Sequence, residues 1–138
     1  MSSKKSFSSL PRTSVTGRVS EYAFASECLR RGFVIAFPCL EALSYDYVLD
    51  NGSKLYRVQV KATTSFSKQR GLWQVTVSRA SGDYSKHAYD VLVIHVPQQG
   101  LFYIIPKSRV RARTIRLDPE NPGCLWAKYL QNWTIFER

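Results

Sequence analysis

Acidic residues are scarce in this chain: 10 Asp and Glu stand against 20 Lys and Arg in 138 residues, a formal net charge of +10. An excess of that size argues against acid-rich functions and points to a polyanionic partner, nucleic acid before a membrane surface. Cysteine is sparse too. Cys28, Cys39 and Cys124 are odd in number, widely separated and without CxxC spacing, which excludes a disulfide framework and argues against a zinc site. Reduced thiols and a cytoplasmic location are the expectation. The two histidines, His87 and His95, stand alone without ligand spacing and read as surface or strand residues. No apolar run approaches the roughly 20 residues that span a bilayer, so no membrane association is expected. The N-terminus carries lysines but no apolar core segment, unlike a secretory leader.

What remains is enough to fold. The length and the hydrophobic content of 44% suit a single domain over residues 1–138. Residues 1–13 are rich in Ser and Lys and read as a flexible basic arm, 14–106 as the core, and 107–138 as a basic segment with a C-terminal helix. Thr16 to Arg31 predicts a helix with Tyr22, Ala25, Ser26 and Leu29 facing inward and Gly32 as its C-terminal cap. Phe33 to Phe37 predicts a short strand stopped by Pro38. Two further strands, about 45–49 and 54–63, flank Asn51-Gly52, and 64–71 reads as a polar, basic loop. Leu72 to Ser78 alternates as a strand, and 83–89 has room for a helical turn. Asp90 opens a continuous apolar run of the kind buried on both faces; Leu101 to Ile105 is its neighbour, and Leu125 to Asn132 predicts a last short helix. The order implies an α/β sandwich with a mixed sheet.

The hairpin places chemistry. Asn-Gly is a strong two-residue turn signal, because a type I′ turn needs positive φ at both central positions. That turn pairs Asp50 with Ser53, Asp46 with Arg57 and Ser44 with Gln59. Alternation then puts Leu55, Arg57, Gln59 and Lys61 on one face and Tyr56, Val58, Val60 and Ala62 on the other. Asp46 falls on the polar face, diagonal to Gln59. A one-residue change in the loop would separate them.

An acid, an amide and an amine on one face suit metal-assisted hydrolysis of a phosphodiester. That reaction needs a polarised phosphoryl oxygen, an activated water and relief of charge on the leaving oxygen. Mg²⁺ takes one or two protein carboxylates, with waters completing its shell. Asp46 is the first candidate ligand, since Asp is depleted in strands and this one lies between Tyr45 and Tyr47. Lys61 could stabilise the pentavalent charge or orient the water; its plainer alternative is an edge-strand lysine paired to Asp46. Gln59 could ligate through its amide oxygen but brings no charge. Glu21, in the first helix, could supply the missing carboxylate; otherwise it is a solvated helical Glu. Glu41 is a weaker substitute. Lys68, Arg70, Arg79, Lys86, Arg109, Arg111 and Arg113 are candidate phosphate contacts, with loops 64–71 and 107–116 as candidate readers of bases. Trp73, Trp126 and Trp133 sit among apolar neighbours and read as core rather than as base-stacking residues.

With these residues in view, the chain resembles the PD-(D/E)XK nuclease superfamily, and within it the small branch of group I intron homing endonucleases and Holliday-junction-resolvase-like proteins. Gly17-x-x-Ser20-Glu21, Gly32-Phe33-x-Ile35 and Pro38 carry the resemblance, followed by Tyr45-Asp46 and Tyr56-Arg57-Val58-Gln59-Val60-Lys61. Tyr84, Asp90-x-Leu92-x-Ile94 and Tyr103-Ile104-Ile105-Pro106 continue it, over about residues 15–106. The resemblance implies a restriction-endonuclease-like core, a mixed β-sheet flanked by helices in the order αβββαβ. It also implies Asp46 and Gln59 as metal ligands, Lys61 as catalytic and Glu21 as an auxiliary acid. Gln59 replaces the usual acid of the motif. The expectation is a Mg²⁺-dependent endonuclease (Mn²⁺ as a substitute) cutting double-stranded DNA, with intron homing ahead of junction resolution. Cutting both strands calls for two sites, hence a homodimer or homotetramer. A non-catalytic DNA-binding module with the same fold is the alternative; an RNA-binding protein fits the charge but lacks an RNP-type aromatic signature.

Overall fold

The computed structural model describes residues 12–40, 43–77 and 88–137. Helix α1 spans Arg12–Arg30 and ends in a Schellman turn. There the Phe33 N–H donates to Cys28 O at 2.9 Å and the Gly32 N–H to Leu29 O at 3.1 Å, with Gly32 at φ 85°, a conformation that favours glycine. The buried side of α1 is Ser20, Phe24 and Cys28, one residue per turn. This corrects the expected inward face: Tyr22 and Leu29 are 58% and 63% exposed. The helix carries apolar residues all round, and Phe24 decides its orientation. Its ring lies 5.8 Å from and nearly parallel to Trp133 and packs against Tyr47, Phe102 and Phe136.

Strands β1 (Val34–Ala36), β2 (Tyr47–Asp50), β3 (Leu55–Ala62), β6 (Val91–Val96) and β7 (Leu101–Pro106) form a five-stranded sheet in the order β1-β2-β3-β6-β7. Among the described strands of this sheet only β3 and β6 pair in parallel, so the sheet is mixed. Strands β4 (Ser65–Ser67), β5 (Leu72–Thr76) and β8 (Thr114–Leu117) form a second, antiparallel sheet. The segment 64–71 is therefore a strand and a turn rather than a plain loop, and the strand near 72–78 leaves the main sheet. Alternation along β6 explains the layering. Val91 and Val93 join the α1-side core, whereas Leu92, Ile94 and Val96 join the core shared with Val75, Ile115 and Leu117 of the second sheet. The apolar run is buried on both faces for this reason, between a helix and a second sheet.

The β2–β3 turn differs from the expected one. Asn51 N–H donates to Lys54 O at 3.1 Å, which centres the turn on Gly52-Ser53. Only Gly52 takes positive φ, 91°, as in turns with glycine at the first central position. Asn51 works through its side chain instead: Oδ1 accepts the Ser53 and Lys54 N–H groups, and Nδ2 donates to Phe136 O. Asp50 consequently pairs with Leu55 and Val48 with Arg57. Moving the turn by one residue moves the register by two, so every side chain keeps its face.

The C-terminal part holds short 3₁₀ turns, Lys107–Arg109, Ala127–Tyr129 and Trp133–Glu137, instead of the expected helix over 125–132. Gln131 interrupts it at φ 52° and binds edge strand β7 instead. Its N–H donates to Phe102 O at 2.7 Å and its Oε1 accepts the Phe102 N–H at 2.9 Å, covering an otherwise open edge. Trp133 is buried in the α1-side core; Trp73 and Trp126 are partly buried against the other. The expected turn at 83–89, with Tyr84, His87 and Lys86, lies outside the described residues, except for Ala88 and Tyr89.

Candidate active site

Asp46 precedes β2 by one residue, and β3 holds it from two sides. Its N–H donates to Val58 O at 2.8 Å. Its Oδ2 accepts the Val60 N–H at 2.8 Å and the Gln59 side-chain amide at 3.1 Å. Asp46 thus lies beside Gln59, not diagonal to it as the expected register had it, and Ser44 turns elsewhere, donating its hydroxyl to Ala88 O. Helix α1 packs on β3 and carries Glu21 to the same place, where its carboxyl shares a hydrogen bond with Asp46. The other partner of Glu21 is Arg18, whose Nη1 donates to Oε2 at 3.0 Å. Lys61, half-buried, lines the same cleft, and its positive charge acts on Asp46. The cleft has a volume of about 510 Å³, with Gly17, Glu21, Asp46, Gln59, Lys61 and Thr64 among its walls.

Both carboxyls are pushed above their ordinary values of 4.5 and 3.8. Burial is the main cause for each. For Glu21 repulsion from Asp46 adds to it, with Arg18 opposing; for Asp46 the Val60 N–H, the bond to Glu21, Lys61 and Arg18 oppose it. Two partly buried acids held together in this way are an arrangement that a divalent cation would relieve.

The donor set suits a hard cation. Among the described residues no three His, Cys, Asp or Glu side chains converge, so the donors are two carboxylates and the Gln59 amide oxygen. Mg²⁺ ordinarily takes one or two protein carboxylates and fills its shell with water and phosphate oxygens. The residues fit that habit.

The four residues singled out in the sequence, Glu21, Asp46, Gln59 and Lys61, line one cleft. Arg18 was missed; its spacing three residues before Glu21 on a helix was the available signal. A buried pair was also missed. His95 Nδ1 lies 2.8 Å from Ser20 Oγ, the His95 ring stacks on Phe102, and burial holds its imidazole below the usual range. This ties α1 to β6 one residue from Glu21, and nothing local in the sequence announces it.

Among the described residues, the basic candidates do not form one cluster. Lys68 and Arg70 are exposed on the turn between β4 and β5, which follows the cleft residues Thr63 and Thr64. Arg109, Arg111 and Arg113 are exposed between β7 and β8, where Pro106 pairs with Val91, at the far end of β6 from the Ile94 that pairs with Lys61. The two groups sit at opposite ends of β5, since Leu72 follows the first turn and Thr76 pairs with Thr114 beside Arg113. Arg109 stands in a 3₁₀ turn, so the three arginines do not project together from one extended segment. Glu41, Arg79 and Lys86 lie outside the described residues.

A mixed sheet lies under a helix, with Asp46, Gln59 and Lys61 at one end and the helical Glu21 beside them. The chain belongs to the PD-(D/E)XK endonuclease family, which matches residues 12–135. Its fold, restriction-endonuclease-like, is similar to that of the bacterial homing endonuclease I-Ssp6803I. That match has a TM-score of 0.78 and 25% identity, covering 91% of this chain and 93% of that one. The Holliday junction resolvase Hjc of Archaeoglobus fulgidus shares the fold at a TM-score of 0.55 and 14% identity, over 88% of this chain and 96% of that one. A search of curated proteins gave no match.

Proposed function

We propose that this chain is a Mg²⁺-dependent endonuclease that hydrolyses phosphodiester bonds in double-stranded DNA, with site-specific homing as its role. The observation that carries the reading is the meeting of Glu21 and Asp46, from α1 and the β2 approach, beside Gln59 and Lys61 of β3 in one cleft. Asp46, Glu21 and Gln59 hold the metal, with Mn²⁺ as a substitute. When bound, the ion supplies Lewis acidity toward the phosphoryl oxygen and a more acidic water. Asp46, pinned by the Val60 N–H, presents its carboxylate without reorganisation. Lys61 orients the attacking water and offsets the negative charge that develops on the phosphoryl oxygens.

Lys68 and Arg70 contact phosphates flanking the cut, and Arg109, Arg111 and Arg113 engage DNA further along. Arg79 and Lys86 belong to the same set. The net charge of +10 supplies affinity that falls with salt. The likeness to a homing endonuclease, at a TM-score of 0.78 and 25% identity against 0.55 and 14% for the resolvase, favours homing over junction resolution. Cutting both strands requires two copies at least, a homodimer or homotetramer, each chain a single nuclease domain acting in the cytoplasm.

Supercoiled plasmid carrying a candidate insertion site is the test, with Mg²⁺ against EDTA, on wild type and Lys61→Ala. Cleavage by the wild type in Mg²⁺ alone, reduced at least about a hundredfold in Lys61→Ala with DNA binding retained, supports the proposal. Equal, negligible cutting by both proteins with binding intact would favour a DNA-binding module that keeps the nuclease fold.

A further inference from the structure

Glycine is a poor choice inside a helix, where only proline is less favourable. Gly17 nevertheless stands in the sixth position of α1. The other described glycines have visible reasons. Gly32, Gly52, Gly71 and Gly100 take positive φ, and a Cβ on Gly123 would meet Asn121 Oδ1 at 3.2 Å. Gly17 has neither reason: its φ is not positive, and a Cβ there would meet nothing within 4 Å. The chain's own packing would accept a side chain, and the helix would be firmer for it.

The position of Gly17 supplies the explanation that the fold does not. It lines the cleft together with Glu21, one turn further along the same helical face. A side chain at residue 17 would therefore project into the space above the acidic pair. Glycine is the residue that lets another backbone approach closely.

We propose that the DNA strand to be cut crosses α1 at Gly17, its sugar–phosphate backbone seated against the helix where a side chain would otherwise stand. The missing side chain is thus part of the binding surface, and it positions the scissile phosphate over Asp46 and Lys61. This rests on the nuclease reading above and adds to it the path of the strand.

The test compares wild type, Gly17→Ala, Gly17→Leu and the control Ser26→Leu, an exposed position on another side of α1. Thermal unfolding, Mn²⁺ binding by calorimetry and duplex binding by fluorescence anisotropy in Ca²⁺ are measured on each full-length protein. Gly17→Ala and Gly17→Leu should unfold at or above the wild-type temperature and bind Mn²⁺ as wild type does. Duplex affinity should fall at least about tenfold in Gly17→Leu, equivalent to 1.4 kcal/mol, and about threefold in Gly17→Ala, while Ser26→Leu binds normally. Wild-type duplex affinity in Gly17→Leu would overturn the inference, as would unchanged affinity in Gly17→Ala if the leucine variant does not fold. A wild-type chain that binds Mn²⁺ but no duplex would remove the nuclease reading itself.

Discussion

Replacing Glu21 by Gln should stabilise the metal-free protein and weaken its hold on a divalent cation. Two unit charges ~4 Å apart interact with ~4 kcal/mol at an effective dielectric of ~20. The Glu21 side chain is 19% exposed, so about 1–2 kcal/mol of relief is realistic after screening. Losing the surface pair with Arg18 returns ~0.5 kcal/mol. The net gain is about 1 kcal/mol, or roughly 3–5 °C in unfolding temperature for a chain of this size. The sign depends on pH. Both carboxyls lie above their ordinary values in the folded state, so folding is favoured while they are protonated. That contribution is lost as pH rises through the folded values. The advantage of Glu21→Gln should therefore be full at pH 8 and shrink as pH falls toward the ordinary 4.5 of a Glu. Cation binding should move oppositely: removing a carboxylate worth about 1.5–2 kcal/mol lowers Mn²⁺ affinity roughly 10- to 30-fold. In the wild type, protons should begin to displace Mn²⁺ at a pH above the ordinary carboxylate range. Thermal scans at two pH values and calorimetric Mn²⁺ titrations give both numbers. A variant destabilised at pH 8, or one binding Mn²⁺ as tightly as wild type, would show that the two carboxyls do not repel each other or do not share the cation.

Two further perturbations probe the frame that holds the site. Phe24→Ala should cost about 3–5 kcal/mol, the usual range for a fully buried aromatic, and should change Trp133 fluorescence in the native state, since the rings stack at 5.8 Å; a loss below ~1 kcal/mol by urea titration would mean that α1 does not dock through this residue. Asp90→Asn should cost about 1 kcal/mol. Asp90 accepts the Arg57 N–H and guanidinium at 2.8 and 3.1 Å, joining β3 to β6, but both side chains are more than a third exposed. Although burial raises the Asp90 carboxyl, its bonds to Arg57 bring it below the ordinary 3.8. The difference between Asp90→Asn and wild type should thus be present at neutral pH and vanish as pH falls through that depressed value; a difference that grows on acidification would contradict it.

Strands buried on both sides were readable because their apolar runs are continuous, as in Val91–Val96 and Leu101–Pro106. The facing of Asp46 and Gln59 was also readable, although the turn was placed one residue early. Register parity, which decides the face, survives a shift of two. The inward face of α1 was not. Tyr22 and Leu29 also offer large side chains, and the aromatic cluster that selects Phe24, with Tyr47, Phe102, Trp133 and Phe136, is assembled from positions far along the chain. The second sheet was hidden for the same reason: the alternation marks β5 as a strand, but its partner is β8, with Trp73 pairing Leu117, and nothing local in the sequence names a partner so far away. The split between Lys68 and Arg70 on one side and Arg109, Arg111 and Arg113 on the other follows from that pairing. Counting basic residues along the chain does not show it.

The most direct measurement is the anomalous difference map of a Mn²⁺-soaked crystal of this chain with duplex DNA, collected for wild type and Asp46→Asn. A peak should appear bonded to the carboxylates of Asp46 and Glu21, next to a phosphate of the strand and within reach of Lys61, and should be lost in Asp46→Asn. A peak elsewhere on the protein, unaltered by Asp46→Asn, in a crystal whose DNA lies away from this cleft, would contradict the proposed site.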